Sequence, residues 1–130
     1  MYMEGEHHGG WIKPLTSNNE LLEVVQFGTV VWKDMDQMFY ECLKMTFAAS
    51  IDTPDLTEVT DMCRMFAGCR SFNQPLEKWD VSKVTDMSVM FKDCSAFNQP
   101  LEKWDVSQVQ DMGWMFQGCS TFNQPLEKWN

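Results

Sequence analysis

The chain has 130 residues, a length suited to one domain, with 44% hydrophobic and 22% charged residues. With 19 acidic and 10 basic residues its net charge is −9, a field that repels nucleic acid and anionic lipid and argues against both as partners. It contains no run of about 18 apolar residues that could cross a membrane as a helix.

The opening MYMEGEHHGG lacks a basic n-region and an apolar h-region, so residues 1–10 read as a disordered tail rather than a signal peptide. His7 and His8 lie in it, and two adjacent histidines alone do not make a metal site. Residues 11–28 read as a helical cap. In SNNELLEVVQFG, Ser17 and Glu20 have capping-box spacing, Leu21, Leu22 and Val25 form an apolar stripe, and Gly28 ends it. The pattern predicts a helix over 18–26 that covers the open end of the remaining chain.

Residues 29–130 are dominated by a repeat. FNQPLEKW occurs at Phe72–Trp79, Phe97–Trp104 and Phe122–Trp129, with a step of 25 residues. A worn copy, FAASIDTPDLTEVTDMCRMFAGCRS, starts at Phe47, and an earlier remnant, DMDQMFYEC, starts at Asp34. A period of this length means stacked units, because one unit cannot bury its apolar face alone. Met87, Met90, Phe91 and Cys94 fall at i, i+3, i+4 and i+7, which predicts a short helix. Asp86 and its copies Asp34, Asp61 and Asp111 sit where N-caps belong. Pro75 excludes a helix in the other half, and the Trp79/Val81 alternation predicts a strand near Lys78–Ser82. Residues 29–130 therefore read as about four coils, the last one partial.

DM, MF, Cys, FNQ, Trp and DVS-x-V together, with WDVSKVTDMSVMF at Trp79–Phe91 the most specific stretch, resemble a bacterial surface-protein repeat of about 26 residues. That repeat is a domain of unknown function frequent in mycoplasma lipoproteins, similar to BspA-type leucine-rich repeats. The resemblance implies an α/β fold. It would be a leucine-rich-repeat-like right-handed solenoid, each unit a short strand plus a short helix, behind an N-terminal capping helix. It also implies cell-surface display or adhesion, and it brings no catalytic residues. One departure stands out: Pro54 occupies the position that Trp79 holds in its own unit.

In such a stack each repeated residue becomes a column. Phe72, Phe97 and Phe122 read as core, and the methionines as packing rather than a cofactor box. Cys42, Cys69, Cys94 and Cys119 read as buried free thiols, since parallel Cβ vectors suit a disulfide poorly and no CxxC pair or nearby histidine suggests zinc. Cys63, outside that column, reads as exposed and reactive. Asn73, Asn98 and Asn123, with Gln74, Gln99 and Gln124 beside them, read as an amide ladder from coil to coil. Calcium is the alternative for the aspartate columns, Asp55, Asp80 and Asp105 forming the second, although clustered carboxylates bonded to their own backbone need no ion. Trp79, Trp104 and Trp129 are the candidate binding residues, because tryptophan is enriched in binding hot spots, with a core role as the alternative.

With no nucleophile–base pair, phosphate loop or metal cluster in the pattern, the expectation is a protein without enzymatic activity, cofactor or bound metal. It presents a repeated face to an unidentified protein ligand. The alternatives are an array that associates end to end as a homo-oligomer through the open last coil, and a calcium-dependent glycan binder.

Overall fold

The computed structural model describes residues 3–4, 11–14 and 21–129. Four short strands lie at the N-terminal end: β1 (Met3–Glu4), β2 (Trp11–Pro14), β3 (Leu21–Gln26) and β4 (Lys44–Phe47). They form one sheet in sequence order, antiparallel from β1 to β3 and parallel between β3 and β4. The register pairs Leu22 with Met45 and Val24 with Phe47. Val24, Met45 and Phe47 are buried while Lys44 and Thr46 face solvent, the two-residue alternation of a half-buried strand.

The helix expected over 18–26 does not form: residues 21–26 are the strand β3. Val24 and Val25 suit a strand, and pairing with both β2 and β4 overrides the local helix pattern. Ser17 and Glu20 lie outside the described residues, as do His7 and His8. Gly28 turns the chain at φ 82°, and its N–H and that of Phe27 donate to Asp52 Oδ2 (2.9 Å) and Oδ1 (2.6 Å).

The expected solenoid of strand plus helix is also corrected. Among the described residues there is no helix, and β3 with β4 is the one parallel pair of strands. The segment with helical spacing is a ribbon of consecutive turns. N–H groups of Met65, Ala67 and Cys69 donate to the carbonyls of Met62, Arg64 and Phe66, three residues back, at 3.0–3.2 Å. The alternate N–H groups, of Met62, Arg64, Phe66 and Gly68, leave the unit and donate to Asp86, Ser88, Met90 and Lys92 of the next, at 2.8–3.1 Å. Each ribbon has two residues in the left-handed region, four apart: Gln37 and Glu41, Arg64 and Gly68, Val89 and Asp93, Trp114 and Gly118. Those residues break helical geometry at every turn. A four-residue turn period is close to 3.6, so the inward set looks the same from spacing. Met87, Met90, Phe91 and Cys94 are all fully buried.

The strand expected near Lys78–Ser82 is likewise replaced by turns. Trp79 N–H donates to the Leu76 carbonyl and Val84 N–H to the Val81 carbonyl, both at 3.0 Å, and Asp80 Oδ1 accepts from Ser82 N–H. Among the described residues, three isolated parallel bridges, Val31 to Asp55, Asp61 to Asp86 and Asp86 to Asp111, join these units as β-structure.

Two phenylalanine columns run side by side through the core. Phe39, Phe66, Phe91 and Phe116 stack at 5.6, 5.6 and 5.7 Å. Phe72, Phe97 and Phe122 stack at 5.8 and 5.9 Å. Within each unit the columns touch, at 4.5, 4.4 and 4.6 Å.

The second left-handed column alternates Glu41, Gly68, Asp93, Gly118, a carboxylate residue over each glycine. A Cβ on Gly68 would sit 2.9 Å from Glu41 Cγ at φ 78°. Gly68→Ala is expected to cost about 1–2 kcal/mol from backbone strain, plus the displacement of Glu41, measured by urea unfolding.

Candidate interaction face

The columns singled out from sequence divide into those that stitch the stack and those that face outward. Trp79 and Trp104 are 6% and 4% exposed, and Trp129 is half-buried. Trp104 and Trp129 donate their indole N–H to the carbonyls of Leu76 (2.9 Å) and Leu101 (3.0 Å), 28 residues back. The column thus lies largely within the core, the alternative expected for it, and Trp104 and Trp129 span the space between units and satisfy a carbonyl there.

The cysteine thiols act the same way. Cys69, Cys94 and Cys119 donate Sγ–H to the carbonyls of Phe39, Phe66 and Phe91 at 2.9–3.0 Å. All five cysteines are free. Burial pushes the Cys42, Cys69 and Cys94 thiols above their ordinary range, and the Cys119 thiol up to about 11. A thiol whose folded pKa is raised stabilises the fold below the unfolded value, near 8.5, and loses that contribution as pH rises. The melting temperature is therefore expected to fall between about pH 8.5 and 10.5, and to fall less in a Cys94→Ala variant.

The amide ladder is formed. Asn73 Oδ1 accepts from Asn98 N–H (2.9 Å) and Gln99 Nε2 (3.0 Å), and Asn98 Oδ1 accepts from Asn123 N–H (3.1 Å) and Gln124 Nε2 (3.0 Å). The first aspartates cap turns rather than helices: Asp34, Asp61, Asp86 and Asp111 each accept from the N–H two residues on, at 2.8 Å. Asp55, Asp80 and Asp105 do the same with Thr57, Ser82 and Ser107, whose bonds hold these carboxyls below the usual range. Asp61 is pushed up, chiefly by burial and then by Asp36, Asp86 and Asp34 around it. Asp36, Asp61 and Cys63 bring one ligand atom each within 4.8 Å of one another. Two carboxylates and a sulfur suit zinc better than calcium, but Asp61 Oδ1 already accepts from Cys63 N–H.

The outward side of the turn ribbon is where the units differ. FNQPLEKWDVS is identical in the two full units, and seven later positions change: Lys83/Gln108, Thr85/Gln110, Ser88/Gly113, Val89/Trp114, Lys92/Gln117, Asp93/Gly118 and Ala96/Thr121. Four of these pairs, from Ser88/Gly113 to Asp93/Gly118, alternate along the ribbon with the inward Met90 and Phe91. Trp114 is 71% exposed and Tyr40 45%. Tyr40, Arg64, Arg70, Val89 and Lys92, from three successive units, line a shallow depression of about 120 Å³ with Glu41 and Asp93. No ion pair among the described residues engages Arg64, Arg70 or Lys92. Sequence reasoning passed over this face because it followed invariant letters. The available signal was the reverse, a cluster of changing letters between fixed ones.

Among the described residues no helix is long and apolar enough to cross a membrane. No curated protein and no solved structure matches the chain. The family model described as "Mycoplasma protein of unknown function, DUF285" matches residues 33–130, the whole stack of repeats, and nothing in the match extends the likeness to BspA-type leucine-rich repeats. The chain thus belongs to this family of Mycoplasma proteins of unknown function.

Proposed function

We propose that the chain is a non-enzymatic protein-interaction module whose contact surface is the outward face of the turn ribbon, with Trp114 as its anchor. The observation that carries this reading is the exposure of Trp114 at φ 58°. A bulky side chain in the left-handed region is costly, and one that stays in solvent recovers nothing by packing within its own chain. Rigid, exposed aromatics and arginine are the residues that dominate protein interfaces. The stacked core supplies a stiff base, and the changing ribbon residues give each unit its own chemistry on it. Surface display or adhesion is the setting that the resemblance suggests for such a face.

The test is cross-linking to a partner, followed by affinity measurement. Trp114→Ala is expected to weaken binding at least about 30-fold, the effect of a hot-spot residue, while stability moves by no more than about 0.5 kcal/mol. Glu102→Ala, away from the ribbon, should leave affinity unchanged. Equal affinity in the Trp114 variant would reject the ribbon face.

A further inference from the structure

The tryptophan column has a gap. Pro54 stands where the later units carry tryptophan, and FAASIDTP has lost the FNQPLEKW pattern around it. Trp104 and Trp129 each reach the carbonyl 28 residues back, and the same step from Trp79 arrives at Ile51. There the bond is missing. Among the described residues, neither the Trp79 indole N–H nor the Ile51 carbonyl has a hydrogen-bond partner. The chain turns early in this unit, where Ile51 N–H donates to the Ala48 carbonyl at 3.1 Å.

Both residues line a cleft of about 330 Å³. Trp79 is 6% exposed, so the free donor belongs to a side chain that is otherwise buried. Phe47 lies nearly parallel to the Trp79 ring at 6.3 Å and 12°, and together with Pro75 it gives the cleft an apolar wall. Asp52, also in the lining, is occupied by the N–H groups of Phe27 and Gly28. The open groups at the apolar wall are thus one donor and one acceptor, with Thr53, Glu77 and Lys78 completing the lining, in a volume at the small end of ligand sites.

We infer that this cleft binds a small primary carboxamide carried on a flat apolar body. The amide oxygen accepts from the Trp79 indole, the amide NH₂ donates to the Ile51 carbonyl, and the flat body lies against Phe47 and Pro75. A carboxylate has acceptors only and leaves the Ile51 carbonyl, itself an acceptor, without a donor. The site is separate from the ribbon face and stands or falls independently of it.

The test is ¹⁵N-labelled protein with the indole N–H resonances assigned through single Trp→Phe variants. Benzamide is added to about 10 mM, since a fragment of its size binds in the millimolar range. The Trp79 resonance is expected to shift saturably while those of Trp104 and Trp129, already bonded, stay in place. Benzoate and toluene are expected to leave all three unmoved. N-acetylglutamine methylamide carries the same group on a peptide. A tighter response to it than to benzamide assigns the natural occupant to an amide side chain of a partner, and the opposite order assigns a free small molecule. If neither amide moves Trp79, or benzoate moves it equally, the cleft holds water only and the inference is overturned.

Discussion

Phe91→Ala is expected to cost about 3–5 kcal/mol, enough to unfold much of the stack at ordinary temperature. Phe91 is fully buried between Phe66 and Phe116 at 5.6 and 5.7 Å, presses on Phe97 at 4.4 Å, and meets Trp104 at 6.3 Å. Removing it leaves a hole shared by three units. The flanking backbones cannot close it, because the ladder bonds from Phe66 to Met90 and from Phe91 to Met115 hold the separation. The same change at Phe116, half-buried in the last full unit, should cost clearly less. Urea unfolding of the two variants checks this. Equal losses would mean that the units do not depend on their neighbours as a stack requires.

Trp104→Ala is expected to cost a similar amount, about 3–5 kcal/mol, in spite of tryptophan's usual place in binding surfaces. The ring is 4% exposed and lies parallel to Trp129 at 6.4 Å, and its N–H satisfies the Leu76 carbonyl. Trp104→Phe separates the two contributions. It keeps much of the ring but leaves the carbonyl unpaired, at a cost of about 1–3 kcal/mol for the lost bond. A Trp104→Ala protein that melts like the parent would return this column to the surface.

The contrast between Trp104 and Trp114 shows what could be read from the sequence. The 25-residue period and the inward set Met87, Met90, Phe91 and Cys94 were legible because burial leaves a spacing. The aspartate-to-backbone bonds and the Asn98–Asn73 link were legible because those side chains have few other ways to be satisfied in a stack. The type of element was not. Tandem turns and a helix place the same residues inward, and the feature that separates them, a left-handed Val89, carries no signal in a β-branched letter. Strand β3 was hidden for another reason: its partners β2 and β4 lie on either side in sequence, and only pairing with them makes LLEVVQ a strand. The outward face was missed because invariance marks what holds the stack, and the differences between units mark what is free to serve another purpose.

The ladder between ribbons has a consequence for how the protein could have grown. Four amide groups at each junction, such as those of Met62, Arg64, Phe66 and Gly68, all point toward the next unit, and the carbonyls that receive them all point back. The ribbon is thus vectorial, with small dipoles that add head to tail as they do in a helix, positive toward Trp114. A unit inverted end for end would set donor against donor. Lengthening is therefore restricted to same-sense duplication in steps of a whole unit, and the identical letters of FNQPLEKW are what such duplication leaves behind.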